Sequence, residues 1–146
     1  MKYFFTACII FLGSFLFGQE IDNLNGSWVG TITQDEGGYR SEYEFEMYLK
    51  QEGDKITGRS YVYVDNIYAE MELVGELHSG FFFRFQEVKM LEFEKFEGME
   101  WCIKKGQLLI KLDKDEWIMD GYWQGNTSFS DCIPGRVKLR RIKPRA

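Results

Sequence analysis

The side chains that most often carry out catalysis are scarce in this sequence. Its 146 residues contain one histidine and three cysteines, and the histidine, His78, lies in the turn-like stretch Leu77-His78-Ser79-Gly80. The sequence has no Gly-x-Ser-x-Gly, no His-Glu-x-x-His and no phosphate-binding glycine loop. It therefore predicts a protein that is not an enzyme and that needs neither a metal ion nor a cofactor.

Two charged residues stand out because they share the phase of apolar neighbours. Most carboxylates alternate with apolar residues, which is typical of a solvated strand face. Glu87 instead continues the phase of the phenylalanines at positions 81, 83 and 85, and Arg141 is in phase with apolar residues of the last strand. A buried carboxylate needs a partner. An inward Glu87–Arg141 pair would be a polar anchor for a ligand or a satisfied structural pair at a barrel rim.

Strands must position these residues, because apolar and polar residues alternate along most of the chain. Residues 42–50 show the pattern most clearly. Turn-forming residues separate the runs, among them Glu52-Gly53-Asp54, Asp65-Asn66, Lys105-Gly106 and 113–116. Residues 86–97 are ambiguous between one helical turn and an irregular strand. Nine strands are predicted, at 26–34, 42–50, 56–64, 67–77, 81–85, 99–105, 107–113, 117–124 and 136–142.

The short connections between these strands favour an antiparallel meander. A sheet of eight or nine strands with one apolar face must bury that face, and closure into an up-and-down β-barrel also removes unpaired edges. A two-sheet sandwich is the alternative, although its crossings usually need longer connections. The prediction is an all-β barrel.

The first eighteen residues are typical of a secretory signal peptide: Lys2, an uncharged apolar run and Gly18. The run is short for a membrane anchor, which is the alternative. Residues 19–146 then form a single domain that is periplasmic, outer-membrane-associated or secreted. Its two cysteines, Cys102 and Cys132, most simply form a disulfide in an oxidising compartment, two free thiols or an intermolecular pair being the alternatives.

Charge is distributed unevenly along the predicted mature chain. Residues 19–135 contain 11 basic and 23 acidic side chains, whereas residues 136–146 contain six basic ones and no acid. The basic tail would contact an anionic membrane surface or an acidic protein, or it would balance the acidic sheet internally. An exported protein with a pI near 5.0 is not expected to bind nucleic acid.

The residues Gly26 and Trp28 give the mature chain a Gly-x-Trp start that resembles lipocalins and other calycin barrels. In that superfamily the tryptophan closes the barrel floor and an arginine of the last strand packs across it, a role for which Arg140 and Arg141 are suitably placed. The sequence has no second lipocalin signature, and it is more similar to compact calycins such as avidin-like barrels and small periplasmic metalloprotease inhibitors, which also carry one disulfide. The resemblance implies non-catalytic binding.

The predicted inner face combines bulky with small side chains, so an eight-stranded barrel would be either partly hollow or filled. A hollow barrel predicts a small apolar or amphipathic ligand. A filled barrel predicts an envelope protein-interaction module, such as a secretion or outer-membrane accessory factor or a hydrolase inhibitor. The candidate lining residues are Tyr43, Phe45, Met47, Met71, Phe83, Phe85, Trp101 and Trp123.

Overall fold

The chain forms a closed β-barrel in the computed structural model, which describes residues 19–143. Within these residues the regular structure is entirely β, and no helix could span a membrane. The predicted signal peptide lies outside the described residues. The strands are β1 (Gly26–Thr33), β2 (Glu42–Glu52), β3 (Lys55–Val64), β4 (Ile67–His78), β5 (Phe82–Phe93), β6 (Ile103–Asp113), β7 (Glu116–Asn126) and β8 (Gly135–Arg141).

Each strand pairs antiparallel with the next one, and β8 pairs with β1 from Trp28↔Arg141 to Ile32↔Val137. The predicted all-β meander barrel is therefore confirmed. Because strand direction alternates, the loops after β1, β3, β5 and β7 meet at one end, which we call the mouth. The turns after β2, β4 and β6 meet at the other end, the floor, where Ile21 and Leu24 of the N-terminal segment join the core.

The strands are joined where the sequence allows unusual backbone angles. Gly53 and Asp65 have positive φ in the turns after β2 and β3, as do Lys114 and Asp115 in the turn after β6. Glycine has no Cβ to clash there, and aspartate tolerates this region better than most residues. Turns at these three positions are predicted from the sequence and are confirmed.

The prediction of two strands at 99–105 and 107–113 is wrong. A single strand, β6, runs through Lys105-Gly106, and Gly106 pairs with Trp123 across the β6–β7 ladder. The glycine is needed for packing, since a Cβ at Gly106 would lie 2.7 Å from the ring of Phe85. This difference reduces nine predicted strands to eight.

The ambiguous segment proves to be an irregular strand. β5 continues to Phe93, with register shifts against β4 that leave Val88 and Leu91 without a direct partner. Its pairing with β6 stops at Gln86, which faces Lys105. The second half of β5 therefore has a β4 partner on one side only, and the barrel wall is split between β5 and β6 near the mouth.

Candidate functional site

A cavity of about 230 Å³ lies inside the barrel at its mouth. Inward-facing residues of five strands form its wall, and residues 98–102 from the loop after β5 cover it. We call these five residues the lid. The cavity is lined by Ile32, Gln34, Tyr39, Tyr43, Val62, Gly98, Met99, Glu100, Trp101, Cys102, Lys104 and Trp123.

Three of the cavity's aromatic residues have polar atoms that are already bonded to protein. Trp101 Nε1 donates to the Glu94 carbonyl at 2.7 Å, and Trp123 Nε1 donates to the Thr33 carbonyl at 2.7 Å. The Tyr43 hydroxyl donates to Gln34 Oε1. These bonds fix the rings so that they offer apolar surface to the cavity, which suits the apolar part of a ligand.

A buried ion pair lies beside this cavity. Lys104 Nζ is 3.0 Å from Glu87 Oε2, and the two side chains are 4% and 0% exposed. Glu87 Oε1 accepts a hydrogen bond from Ser60 Oγ at 2.6 Å. Lys104 Nζ also donates to the Cys102 carbonyl at 3.0 Å. Each charge therefore has the partners that burial demands.

The split between β5 and β6 explains why these charges are there. Beyond Gln86 the two strands no longer pair, so the Lys104 backbone N–H loses its regular partner. It donates instead to Glu87 Oε2 at 2.8 Å. The Glu87 carboxylate thus replaces a main-chain carbonyl as the acceptor where the β5–β6 pairing ends. The buried N–H of Lys104 therefore keeps a hydrogen-bond partner.

The disulfide joins the lid to the neighbouring loop. Cys102, at the end of the lid, is bonded to Cys132 in the loop between β7 and β8, as the sequence predicts. The Cys132 N–H donates to the Gly125 carbonyl at 2.9 Å, which ties this loop to β7. The lid is therefore held covalently against the cavity.

The predicted lining residues divide into two groups. Tyr43, Trp101 and Trp123 reach the mouth cavity. The other five belong to the filled core below it, where each is at most 1% exposed: Phe45, Met47, Met71, Phe83 and Phe85. The interior is thus packed in its lower part, and the cavity lies above this core at the mouth.

Aromatic rings fill the space that the small inner residues leave. A Cβ at Gly75 would lie 2.5 Å from the Phe83 ring, and one at Gly106 would lie 2.7 Å from the Phe85 ring. The two rings are themselves neighbours, with centroids 6.1 Å apart. Strand glycines here make room for phenylalanines instead of creating a hollow.

The two candidate anchor residues do not meet. Glu87 is buried, as its phase predicts, but its partners are Lys104 and Ser60 and not Arg141. Arg141 packs over Trp28, with its guanidinium carbon 5.1 Å from the ring centroid. The expected pairing of Glu87 with Arg141 is wrong, because phase predicts the face of a strand but not the position around the barrel.

Arg141, and not Arg140, packs across the tryptophan at the floor. Arg140 is exposed on the outer face. Trp28 is fully buried and donates from Nε1 to the Leu24 carbonyl at 3.0 Å. Gly26 starts β1 with a φ of +111°, a conformation that L side chains rarely adopt.

Sequence reasoning missed Lys104, the cation of the cavity. Its neighbours Ile103 and Lys105 make the stretch look like a solvated strand end. The available signal is that Lys104 shares the phase of Leu108 and Ile110, both of which are buried. The lid was missed as well, because its segment was predicted to be a strand.

A larger depression of about 1330 Å³ follows the outer wall across β3 to β8. It is open to solvent, since Leu109 and Tyr122 on its lining are 50% and 64% exposed. Its Asp120 already pairs with Arg136 at 2.8 Å. The mouth cavity, which combines aromatic walls with a buried charge, is the stronger candidate site.

The histidine, His78, lies outside the cavity. His78 is half-exposed at the floor end of β4, where Nε2 is 3.3 Å from Glu76. Among residues 19–143, no group of three or more metal-ligating side chains lies together. Burial raises the pKa of Tyr43 above its ordinary value of 10.0, so its hydroxyl stays a neutral donor near pH 7.

No protein-family model, curated protein or solved structure matches this chain. A barrel fold by itself does not specify an activity. The mouth cavity and its surroundings are therefore the features that bear on function.

Proposed function

We propose that this protein is an exported, non-catalytic binding protein that holds one small amphipathic ligand in its mouth cavity. The observation that carries the proposal is the 230 Å³ cavity, in which aromatic faces surround one buried ammonium group. Such a lining, mostly apolar with few fixed polar groups, is typical of small-molecule sites. The volume lies just below the usual range, so the ligand has on the order of ten non-hydrogen atoms.

Two other features support this function. The Cys102–Cys132 disulfide is consistent with an oxidising, extracytoplasmic compartment. The contact of Arg141 with Trp28 at the floor is the arrangement that the calycin resemblance implies. That resemblance implies non-catalytic binding, which agrees with the proposed role.

A matched pair of valine variants tests the proposal. Val62→Phe adds bulk inside the cavity, whereas Val74→Phe adds the same bulk on the exposed outer wall. Native mass spectrometry of protein isolated from the periplasm should show a bound small molecule in the wild type and in Val74→Phe. The bound mass should be absent from Val62→Phe. A wild-type protein that is consistently free of ligand would contradict the proposal.

The unpaired half of β5 favours a second candidate function, an envelope protein-interaction module. Its edge carries exposed apolar side chains, Val88, Leu91 and Phe93, and it has no β6 partner beyond Gln86. An unpaired edge of this kind accepts an extended segment of a partner as an added strand. The occupant proposed is therefore an extended peptide of an envelope protein.

Photo-crosslinking from position 88 in the native envelope tests this second candidate. A discrete crosslinked product is expected, and Leu91→Pro should abolish it, because proline removes a backbone donor from the edge. Tyr48→Ala, an exposed change on β2, should leave the product intact. A product that persists in Leu91→Pro would exclude strand addition.

A further inference from the structure

We infer that the ligand of the mouth cavity is a small carboxylic acid whose carboxylate is bound by the ammonium group of Lys104. This inference rests on the proposed function, because it names the class of ligand for the same cavity. It follows from the charge on the cavity wall, from the bonds that this charge already makes, and from the shape of the remaining space.

The ammonium group of Lys104 keeps a donor for a ligand. It has three N–H bonds. In the described part of the chain it has two oxygen acceptors, Glu87 Oε2 and the Cys102 carbonyl, each at 3.0 Å. The Phe45 ring lies on a further side, with its centroid 5.8 Å from Nζ. Lys104 lines the cavity, and the inference places its remaining donor toward a molecule bound there.

Glu87 lies behind the ammonium and does not line the cavity. Its Oε1 accepts from Ser60, and its Oε2 accepts from both the backbone and the side chain of Lys104. An anionic ligand therefore meets the cation first. The carboxylate of Glu87 holds Lys104 in place and keeps the pair neutral while the cavity is empty.

The other polar groups on the wall are less suited to binding an acid. Glu100 is anionic and pairs with Lys95 at 2.7 Å on the exposed side of the lid. Gln34 uses both its amide oxygen and its amide nitrogen within the protein, bonding Tyr43 and the Ile133 carbonyl. Lys104 is the one cation among the residues that line this cavity. A charge-assisted hydrogen bond in a place of low dielectric is about twice as strong as a neutral one.

The apolar walls complete the ligand class. Trp101, Trp123 and Tyr43 offer ring faces around a space of about 230 Å³. A body of one aromatic ring or a short alkyl chain fills such a space, while its acidic end reaches Lys104. Phenylacetate has these properties, and phenylacetamide has the same shape without the charge.

The experiment is a calorimetric titration of the full mature protein with phenylacetate and phenylacetamide. The wild type should bind the acid at least about tenfold more tightly than the amide, which corresponds to about 1.4 kcal/mol. Glu87→Gln keeps the shape of the pair but leaves the ammonium without a counter-charge, so this ratio should rise. In the Glu87→Gln/Lys104→Met double variant, which buries no unpaired charge, the ratio should fall to within about twofold of unity.

Circular dichroism and urea unfolding establish that each variant is folded before it is titrated. Should the double variant fail to fold, Glu87→Gln alone still decides the matter through the expected rise in the ratio. Equal binding of acid and amide, both blocked by Val62→Phe, would overturn the carboxylate inference and leave the proposed function standing. If neither compound binds, the inference is overturned as well, and native mass spectrometry decides the proposed function separately.

Discussion

Arg141 holds three parts of the barrel floor together. Its guanidinium lies 5.1 Å from the Trp28 ring centroid, and Nη2 donates to the carbonyls of Asn23 at 2.6 Å and Asn25 at 2.8 Å. Burial lowers the pKa of Arg141, and the nearby charge of Asp22 opposes this effect. One side chain therefore connects β8, β1 and the segment that precedes β1.

Removing this guanidinium should weaken the floor. Arg141→Met keeps an apolar stem over Trp28 but leaves two backbone carbonyls without their donor, so we expect a loss of about 1–3 kcal/mol of unfolding free energy. The matched control is Arg140→Met, because Arg140 is exposed on the opposite face of the same strand. It should change the free energy by less than about 0.5 kcal/mol. Urea unfolding measures both, and equal effects would show that the floor does not depend on Arg141.

Which face a residue occupies was predictable from the sequence, whereas its partner was not. The alternation of β5 places Glu87 inside, and the residue is 1% exposed. Its partner Lys104 was missed, since the regular β5–β6 pairing ends just before it. The end of that pairing is a feature of the whole sheet, and the alternation of residues does not mark it. Local patterns therefore predict burial but not the ion pair.

Turn-forming residues inside strands mislead for a similar reason. Lys105-Gly106 reads as a turn, yet Gly106 pairs in mid-strand with Trp123 and leaves room for the ring of Phe85. Here the glycine is required by a contact with Phe85, which lies about twenty residues earlier in the chain on another strand. By contrast, a turn such as that at Gly53 depends only on local backbone conformation, and such turns are predicted correctly.

Three strands are joined on the outer wall by one carboxylate. Asp120 on β7 lies 2.8 Å from Arg136 on β8 and 3.5 Å from Lys111 on β6. Burial alone would raise the pKa of Asp120. The hydrogen bond from Arg136 and the charges of Arg136 and Lys111 outweigh burial, so the pKa lies below its ordinary value of 3.8. In this pairing one basic residue of the final strand meets one acidic residue of the sheet.

The stabilisation from Asp120 should depend on pH in a defined direction. A carboxylate with a depressed folded-state pKa stabilises the fold above its unfolded pKa, and this contribution is lost as the pH falls through the folded value. Asp120→Asn should therefore lower the urea midpoint at pH 7, by less than Arg141→Met does. Near pH 2 the variant and the wild type should have the same midpoint. A difference that persists unchanged at pH 2 would indicate a packing effect instead.

At the scale of the whole molecule, the two ends of the barrel are built differently. The floor is closed by Trp28, Arg141 and the N-terminal segment, all through packing and hydrogen bonds. The mouth is closed by the lid, which the Cys102–Cys132 disulfide fastens to the loop after β7. Closure of the meander was predictable from its short connections. The lid was not, because most of its segment lies in residues 99–105, whose pattern predicts a strand.

Loss of the disulfide should therefore act mainly on the mouth. The cysteines are 30 residues apart, and opening a loop of this length costs about 3–4 kcal/mol in the chain-entropy model. Cys102→Ser/Cys132→Ser should lower the unfolding free energy by up to this amount, and reduction of the wild type should reproduce the effect. Amide hydrogen exchange should become faster in the lid while the protection of Trp28 against local opening is unchanged.

Loss of the disulfide should also weaken ligand binding in the cavity. The Cys102 carbonyl accepts a hydrogen bond from Lys104 Nζ at 3.0 Å, so a loosened lid leaves the ammonium less well positioned. We expect the double serine variant to bind phenylacetate more weakly, and to lose more affinity for it than for phenylacetamide. The contrary outcome is faster amide exchange spread evenly over the barrel, with an unchanged preference for phenylacetate over phenylacetamide. It would mean that the disulfide stabilises the whole fold and does not position Lys104.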